Sequence, residues 1–181
     1  MEEIRFGTDG WRAVIDEDFI DENIAAVTQA FANVYPTLPE AGKPVIIGYD
    51  RRKKSPEAAN LISEVLQGNN IKVIKSKCYC PTPTVSWMVK NMKAAAGIMV
   101  TASHNPPKWN GIKFKESYGG AASAEYLAPI EARIKENFAK HVEPKRGRGL
   151  EETFDPYGKY MNSFSEFIDL DMIRKKNFKI L

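Results

Sequence analysis

Residues 101–114 read Thr-Ala-Ser-His-Asn-Pro-Pro-Lys-Trp-Asn-Gly-Ile-Lys-Phe, and side chains of these types at this spacing could carry a group-transfer reaction. A serine hydroxyl is a weak nucleophile until a neighbour takes its proton or a cation stabilises its product. Ser103 has His104 beside it, with Lys113 and Lys115 a little further along. Pro106 and Pro107 stiffen the loop and so hold the hydroxyl in place. Asn110-Gly111 is a tight-turn signal, and strand alternation after it sends Lys113 and Lys115 to one face and Ile112 and Phe114 to the other. One lysine can then return toward Ser103 as an exposed strand lysine. A plainer reading fits the same spacing: a capping serine, a core histidine and a charged strand edge.

Two further stretches bear on the same chemistry. In Phe-Gly-Thr-Asp-Gly-Trp-Arg (6–12), Gly7 and Gly10 let backbone amides approach an anion, and Arg12 offers a fork matching two phosphate oxygens. Asp9-Gly10 also reads as a simple hairpin turn. In Tyr-Asp-Arg-Arg (49–52), Arg51 could reach a phosphate with Asp50 holding it, although this is also the look of a surface ion pair. Three loops bringing Arg, Lys or Ser to strand borders share one theme, the handling of phosphate, because a phosphoserine carries close to two negative charges and needs cations around it. The candidate catalytic residues are Ser103, His104, Lys113 and Arg12. The candidate phosphate- or substrate-binding residues are Arg51, Asp50, Gly10, Thr101 and Asn105. The absence of Gly-x-Ser-x-Gly argues against hydrolase chemistry.

The elements that would position these residues alternate between strand and helix. Ile24, Val27, Phe31 and Val34 recur at helical spacing behind Asp21 as N-cap. Residues 44–50 form an apolar strand, Ser55-Pro56 opens a helix that stops near Gly68, and 71–76 is a second strand. Thr82-Pro83 opens a third helix, and the apolar strand 95–101 leads into the serine loop, with 111–115 as its antiparallel partner. This pattern predicts an α/β class, a layered domain with a mixed, largely parallel sheet flanked by helices, whose ligands sit beyond the carboxyl ends of the strands. Leu127, Ile130, Ile134 and Phe138 mark a fourth helix that Pro129 should kink or delay. The domain spans 1–140, and 141–154, rich in Pro, Gly and charge, reads as a surface connection. Residues 155–181 read as a helical segment, with Tyr157, Met161, Phe164 and Ile168 turned inward, and as the start of a second domain. A strand just begun at 177–181 suggests a piece of something longer.

The chain has 181 residues, 43% of them apolar and 27% charged, with a formal charge of +3. That is the composition of a globular protein rather than a disordered one. The cationic runs 51–54 and 145–148 could form anion sites but usually mark a solvated face. No nucleic-acid module is legible, no apolar run approaches a membrane span, and Cys78 and Cys80 fit free thiols in a reducing, cytoplasmic setting.

Together, the stretches 6–12, 49–52, 80–87 and above all 101–115 closely resemble the N-terminal domain of the α-D-phosphohexomutases, in their phosphoglucomutase/phosphomannomutase branch, over most of residues 4–139. The resemblance implies that Ser103 is the phosphoserine, Lys113 a general base or acid and His104 its assistant. It also implies that Arg12, and less directly Arg51, stabilise charge. It further implies a hexose phosphate substrate, a hexose 1,6-bisphosphate intermediate, and Mg2+ held by phosphorylated Ser103 and by aspartates of an Asp-rich loop. That loop and the Gly-Glu-x-Ser-Gly sugar loop do not occur in these 181 residues, so the remaining domains of the same polypeptide are expected partners and the chain alone should not turn over. Thr101 and Trp11 lean toward glucose or mannose phosphates over a phosphoglucosamine mutase. A non-catalytic binding or regulatory domain is the contrasting reading.

Overall fold

A computed structural model describes residues 4–176 and Lys179. Its centre is a six-stranded sheet in the order β1-β5-β4-β2-β3-β6, formed by β1 (Gly10–Val14), β2 (Val45–Tyr49), β3 (Val73–Ser76), β4 (Ala96–Val100), β5 (Trp109–Lys115) and β6 (Glu151–Phe154). The β4-β2-β3-β6 part is parallel, and β5 runs antiparallel to both β4 and β1. The sheet is therefore mixed and largely parallel, as the alternation predicts.

Helices α1 (Asp21–Val34), α2 (Ser55–Gly68) and α4 (Ala124–Ala139) cover one face. There Val27, Phe31, Ile62, Leu66 and Ile130 pack on Val45, Ile47, Ile98, Ile112 and Phe114. Helix α3 (Thr82–Asn91) covers the other face at β2 and β4, burying Val85, Met88 and Val89 against Ile46 and Met99. The period-2 alternation of β5 divides along the same line: Ile112 and Phe114 enter the large core, and Gly111, Lys113 and Lys115 line the face on α3's side.

Several local expectations need correction. Ile20, not Asp21, is the N-cap of α1. Helix α4 starts at Ala124, where the Ser123 hydroxyl accepts the Tyr126 N–H, so Pro129 lies inside the second turn and does not delay the helix. Asn110-Gly111 makes no turn. Both residues lie within β5, and the reversal from β4 is made by the loop 101–108. The stretch 141–154 is not all surface connection, since its last four residues, β6, pair with β3 and extend the sheet.

Beyond β6 come α5 (Gly158–Ser163) and α6 (Leu170–Lys175). Helix α5 leans on α3 through Tyr160, whose ring meets Trp87 edge-on at 6.1 Å. Tyr157 and Met161, expected inward, are 53% and 50% exposed, and Ile168 is exposed as well. By this point the chain has left both cores: α5 meets the flank of α3, and the Tyr157 hydroxyl donates to Tyr79 O at 3.1 Å. The strand expected over 177–181 lies outside the described residues, apart from Lys179. Among the described residues no helix is long and apolar enough to cross a membrane, and Cys78 and Cys80 are free thiols.

Candidate functional site

The loop 101–108 leaves β4 at its carboxyl end, beside the carboxyl end of β2, where the Asp50 N–H donates to Val100 O at 3.1 Å. Ser103 sits exposed on this loop in the left-handed region, at φ 56°. A non-glycine residue there costs on the order of 1–3 kcal/mol and persists only where its surroundings over-determine it.

The surroundings do so through one side chain. The Arg52 guanidinium donates four hydrogen bonds to main-chain carbonyls of the loop and its exit: Ser103 O at 2.8 Å, Asn105 O at 2.7 Å, Pro106 O at 3.0 Å and Trp109 O at 2.9 Å. A planar fork with five donors suits this task, and a lysine could not reproduce it. Asp50 holds the fork in turn. Its carboxylate lies 3.4 Å from Arg52 Nε and accepts the Arg52 N–H at 2.9 Å and the Ser55 hydroxyl at 2.7 Å. Beneath these, the fully buried Asn110 donates from Nδ2 to Ser55 Oγ at 2.9 Å and to Lys53 O at 3.0 Å. The loop adds its own bonds, from Ser103 N–H to Thr101 Oγ1 at 2.9 Å and from Asn105 N–H to Ala102 O at 3.1 Å. The buried Thr101 thus uses its hydroxyl to shape the turn.

The second cluster lies on the β1-β5 face. Asp9 accepts Lys113 Nζ at 2.7 Å and lies 3.5 Å from Arg12 Nη2. The side chains of Lys113 and Asp9 are only 11% and 16% exposed, so Lys113 is not the exposed strand lysine the alternation suggested. Arg12 pairs with Gly111 across the strands, and a side chain at Gly111 would meet Arg12 Cγ at 3.2 Å and Thr101 O at 3.0 Å. The Arg12 stem therefore passes beside Thr101, two residues from Ser103, and its Nε is buried without a hydrogen-bond partner. Burial of Lys115 pushes its ammonium below the ordinary lysine value, with Asp9 opposing and Lys113 reinforcing the shift.

Other candidates are placed differently. Arg51 is exposed and its guanidinium stacks 5.3 Å from the Tyr79 ring centroid, so it is Arg52, not Arg51, that Asp50 holds and that engages the serine loop. The missing side chain of Gly10 lets β5 pack close: with φ at +155°, a Cβ there would stand 2.1 Å from Ile112 O. His104 is exposed and makes no hydrogen bond among the described residues. Asn105 gives its carbonyl to Arg52, and its side-chain Oδ1 is buried without a partner. Trp11 stacks on Phe19 in the core at 5.5 Å and is 3% exposed. Arg52, Asp9, Ser55 and Asn110 were missing from the candidates. The legible signal for the first was an arginine two residues after Asp50 at a strand end.

Residues 3–141 match the family model for the phosphoglucomutase/phosphomannomutase α/β/α domain I. The chain belongs to the phosphoglucomutase/phosphomannomutase family. It is 37% identical over 134 residues to a phosphoglucomutase of Staphylococcus epidermidis, a match covering 72% of this chain and 24% of that protein. It is 31% identical over 185 aligned positions to a phosphoglucosamine mutase of Clostridium kluyveri, covering 97% of this chain and 39% of that one. A crystal structure described as a phosphomannomutase from Thermus thermophilus superimposes with a TM-score of 0.82 at 33% identity, over 93% of this chain and 37% of its own. The chain thus spans well under half the length of these family members.

Proposed function

We propose that this chain is the phosphoserine domain of a Mg2+-dependent phosphohexomutase that interconverts hexose 1-phosphate and hexose 6-phosphate through a bisphosphate. The observation that carries the reading is Ser103 itself, exposed on a backbone held in the left-handed region by the Arg52 clamp, on a loop that starts at Thr101 near the Arg12 stem. Phosphoryl transfer asks mainly for alignment and charge stabilisation, and the two clusters supply one each.

In the forward step the bond from phosphorus to Ser103 Oγ breaks as a bond forms to a sugar hydroxyl oxygen, and the departing Ser103 Oγ needs a proton as the hydroxyl loses one. In this reading Lys113, an ammonium paired with Asp9, would relay that proton, giving one of its own toward Ser103 Oγ and taking the sugar's in exchange, and Arg12 would supply positive charge. The second half-reaction reverses the roles, with the other phosphoryl group of the bisphosphate returning to Ser103. The described residues hold no group of three or more His, Cys, Asp or Glu able to bind a metal. In this reading phosphorylated Ser103 is the residue of this chain that would hold Mg2+, through a phosphoryl oxygen, with carboxylates coming from outside it, and the bound ion would supply charge neutralisation for the transfer.

Residues 155–181 would begin a second domain, and the chain alone would have no steady turnover. A cytoplasmic setting accords with two free cysteines. Sugar preference among glucose, mannose and glucosamine phosphates would be set by segments outside this chain. The test is mass mapping of the polypeptide that carries this domain after exposure to hexose 1,6-bisphosphate and Mg2+. Stoichiometric phosphate on Ser103, lost in Ser103→Ala, is expected, and stoichiometric phosphate at another residue would sink the assignment.

A further inference from the structure

Helix α4 ends against α1 in a turn whose filling departs from the usual one. His141, at φ 50°, donates its N–H to Phe138 O at 3.2 Å, and the Val142 N–H donates to Asn137 O at 2.9 Å. Helix ends of this geometry frequently bring two apolar side chains together, at the positions that Asn137 and Val142 hold here. Asn137 breaks that pattern. It is only 7% exposed, and its side-chain Nδ2 is buried with no hydrogen-bond partner among the described residues. Val142 is left 39% exposed.

Both residues line a cleft of about 320 Å³ between α1, the end of α4 and the segment 141–146. That volume falls at the low end of the roughly 300–1,000 Å³ of small-molecule sites. Ala25, Phe138 and Pro144 add apolar lining. The cleft's other amide, Gln29, is committed: its Oε1 accepts the Lys145 N–H and Asn69 Nδ2, both at 2.9 Å, and its Nε2 donates to Asn33 and Asn69 Oδ1 at 2.6 and 2.9 Å. Asn137 is therefore the amide left for a ligand. Two carboxylates, Glu22 and Glu143, outnumber the one guanidinium, Arg146, so the cleft does not favour a phosphate ester. A buried donor without an acceptor is costly to fold around and calls for something that completes it.

We propose that this cleft binds a small neutral molecule that presents a carbonyl oxygen beside an apolar group. The carbonyl accepts from Asn137 Nδ2, and the apolar part rests against Phe138 and Val142. The site draws on none of the residues assigned to phosphoryl transfer, so it stands or falls apart from that reading.

Acetanilide titrated into the 181-residue chain, followed by amide shifts of residues 22–29 and 137–146, tests this. Saturable shifts in those segments are expected. N-ethylaniline, which keeps the ring and lacks the carbonyl, should bind about two- to tenfold more weakly, the worth of one hydrogen bond. Asn137→Leu should abolish that preference. It should also melt no lower than wild type, because it removes a buried donor that has no acceptor. Absence of saturable shifts in the wild-type chain, or a preference for acetanilide that survives in Asn137→Leu, overturns the proposal. A clear fall in the melting temperature of Asn137→Leu overturns it too, since the amide would then be satisfied within the fold.

Discussion

Replacing Arg52 by alanine should loosen the serine loop while leaving the sheet intact. The guanidinium makes four hydrogen bonds to loop carbonyls, two of them exposed and two, to Asn105 O and Trp109 O, half-buried. Water can replace the exposed pair. The half-buried pair is harder to replace, and at about 1.5–3 kcal/mol for a hydrogen bond to a charged group it puts the low end of the local loss near 3 kcal/mol. That is roughly a hundredfold in the equilibrium for local opening. Amide hydrogen exchange reads it directly, because the Asn105 and Trp109 N–H groups bond within the loop, to Ala102 O and Pro106 O. Those two amides should exchange about a hundredfold faster, whereas amides of β2 and β4 hold their rates. Arg52→Lys should recover less than half of the protection, since an ammonium cannot bridge four divergent acceptors. Unchanged exchange at Asn105 and Trp109 in a folded Arg52→Ala chain would refute the view that this side chain sets the loop.

Gly10→Ala puts a Cβ 2.1 Å from Ile112 O at a φ of +155°; a loss of about 1–3 kcal/mol or more is expected, visible as a fall of about 2–4 °C in Tm per kcal/mol. Lys113→Ala leaves Asp9 without its 2.7 Å partner, so stability should fall by about 1–3 kcal/mol. Asp9→Asn in that background should recover part of this while activity of the longer polypeptide stays lost. Hydrogen bonds from Lys53 and then Lys54 hold the Asp16 carboxyl below its ordinary value. A depressed carboxyl stabilises the fold above its unfolded value of 3.8 and loses that contribution as pH falls through the folded value. Stability curves of wild type and Asp16→Asn should therefore differ at neutral pH and converge in acid.

The layered fold could be read from sequence because its signals are local. Apolar runs at 44–50 and 95–101 and the helical spacing of Ile24, Val27 and Phe31 need no distant partner to be recognised. Of the candidate site, the place of Ser103 on the loop beyond β4 was legible from residue type and strand pattern, whereas Arg12 and Lys113 lie inside β1 and β5. Arg52 was hidden because a run of four cations looks solvated, and only the β2-β4 adjacency slides its side chain under carbonyls more than fifty residues away. Asn110-Gly111 misled for a related reason. The dipeptide chemistry of a turn was overridden by side-chain bonds to Lys53 and Ser55, which keep Asn110 in an extended strand. Tyr157 and Met161 followed a helical period, but periodicity names a face without saying what covers it.

Arg52 grips the serine loop by main-chain carbonyls alone and is therefore indifferent to the side chains the loop displays. The loop behaves as an interchangeable cassette: its backbone trace is dictated from outside, and the chemistry mounted on it can be rewritten separately. A phosphoryl group placed on Ser103 would leave all four of the bonds that hold the trace unbroken. The same arrangement would let evolution, or a protein engineer, exchange a hydroxyl for a thiol or a carboxylate at position 103 and inherit the geometry unchanged.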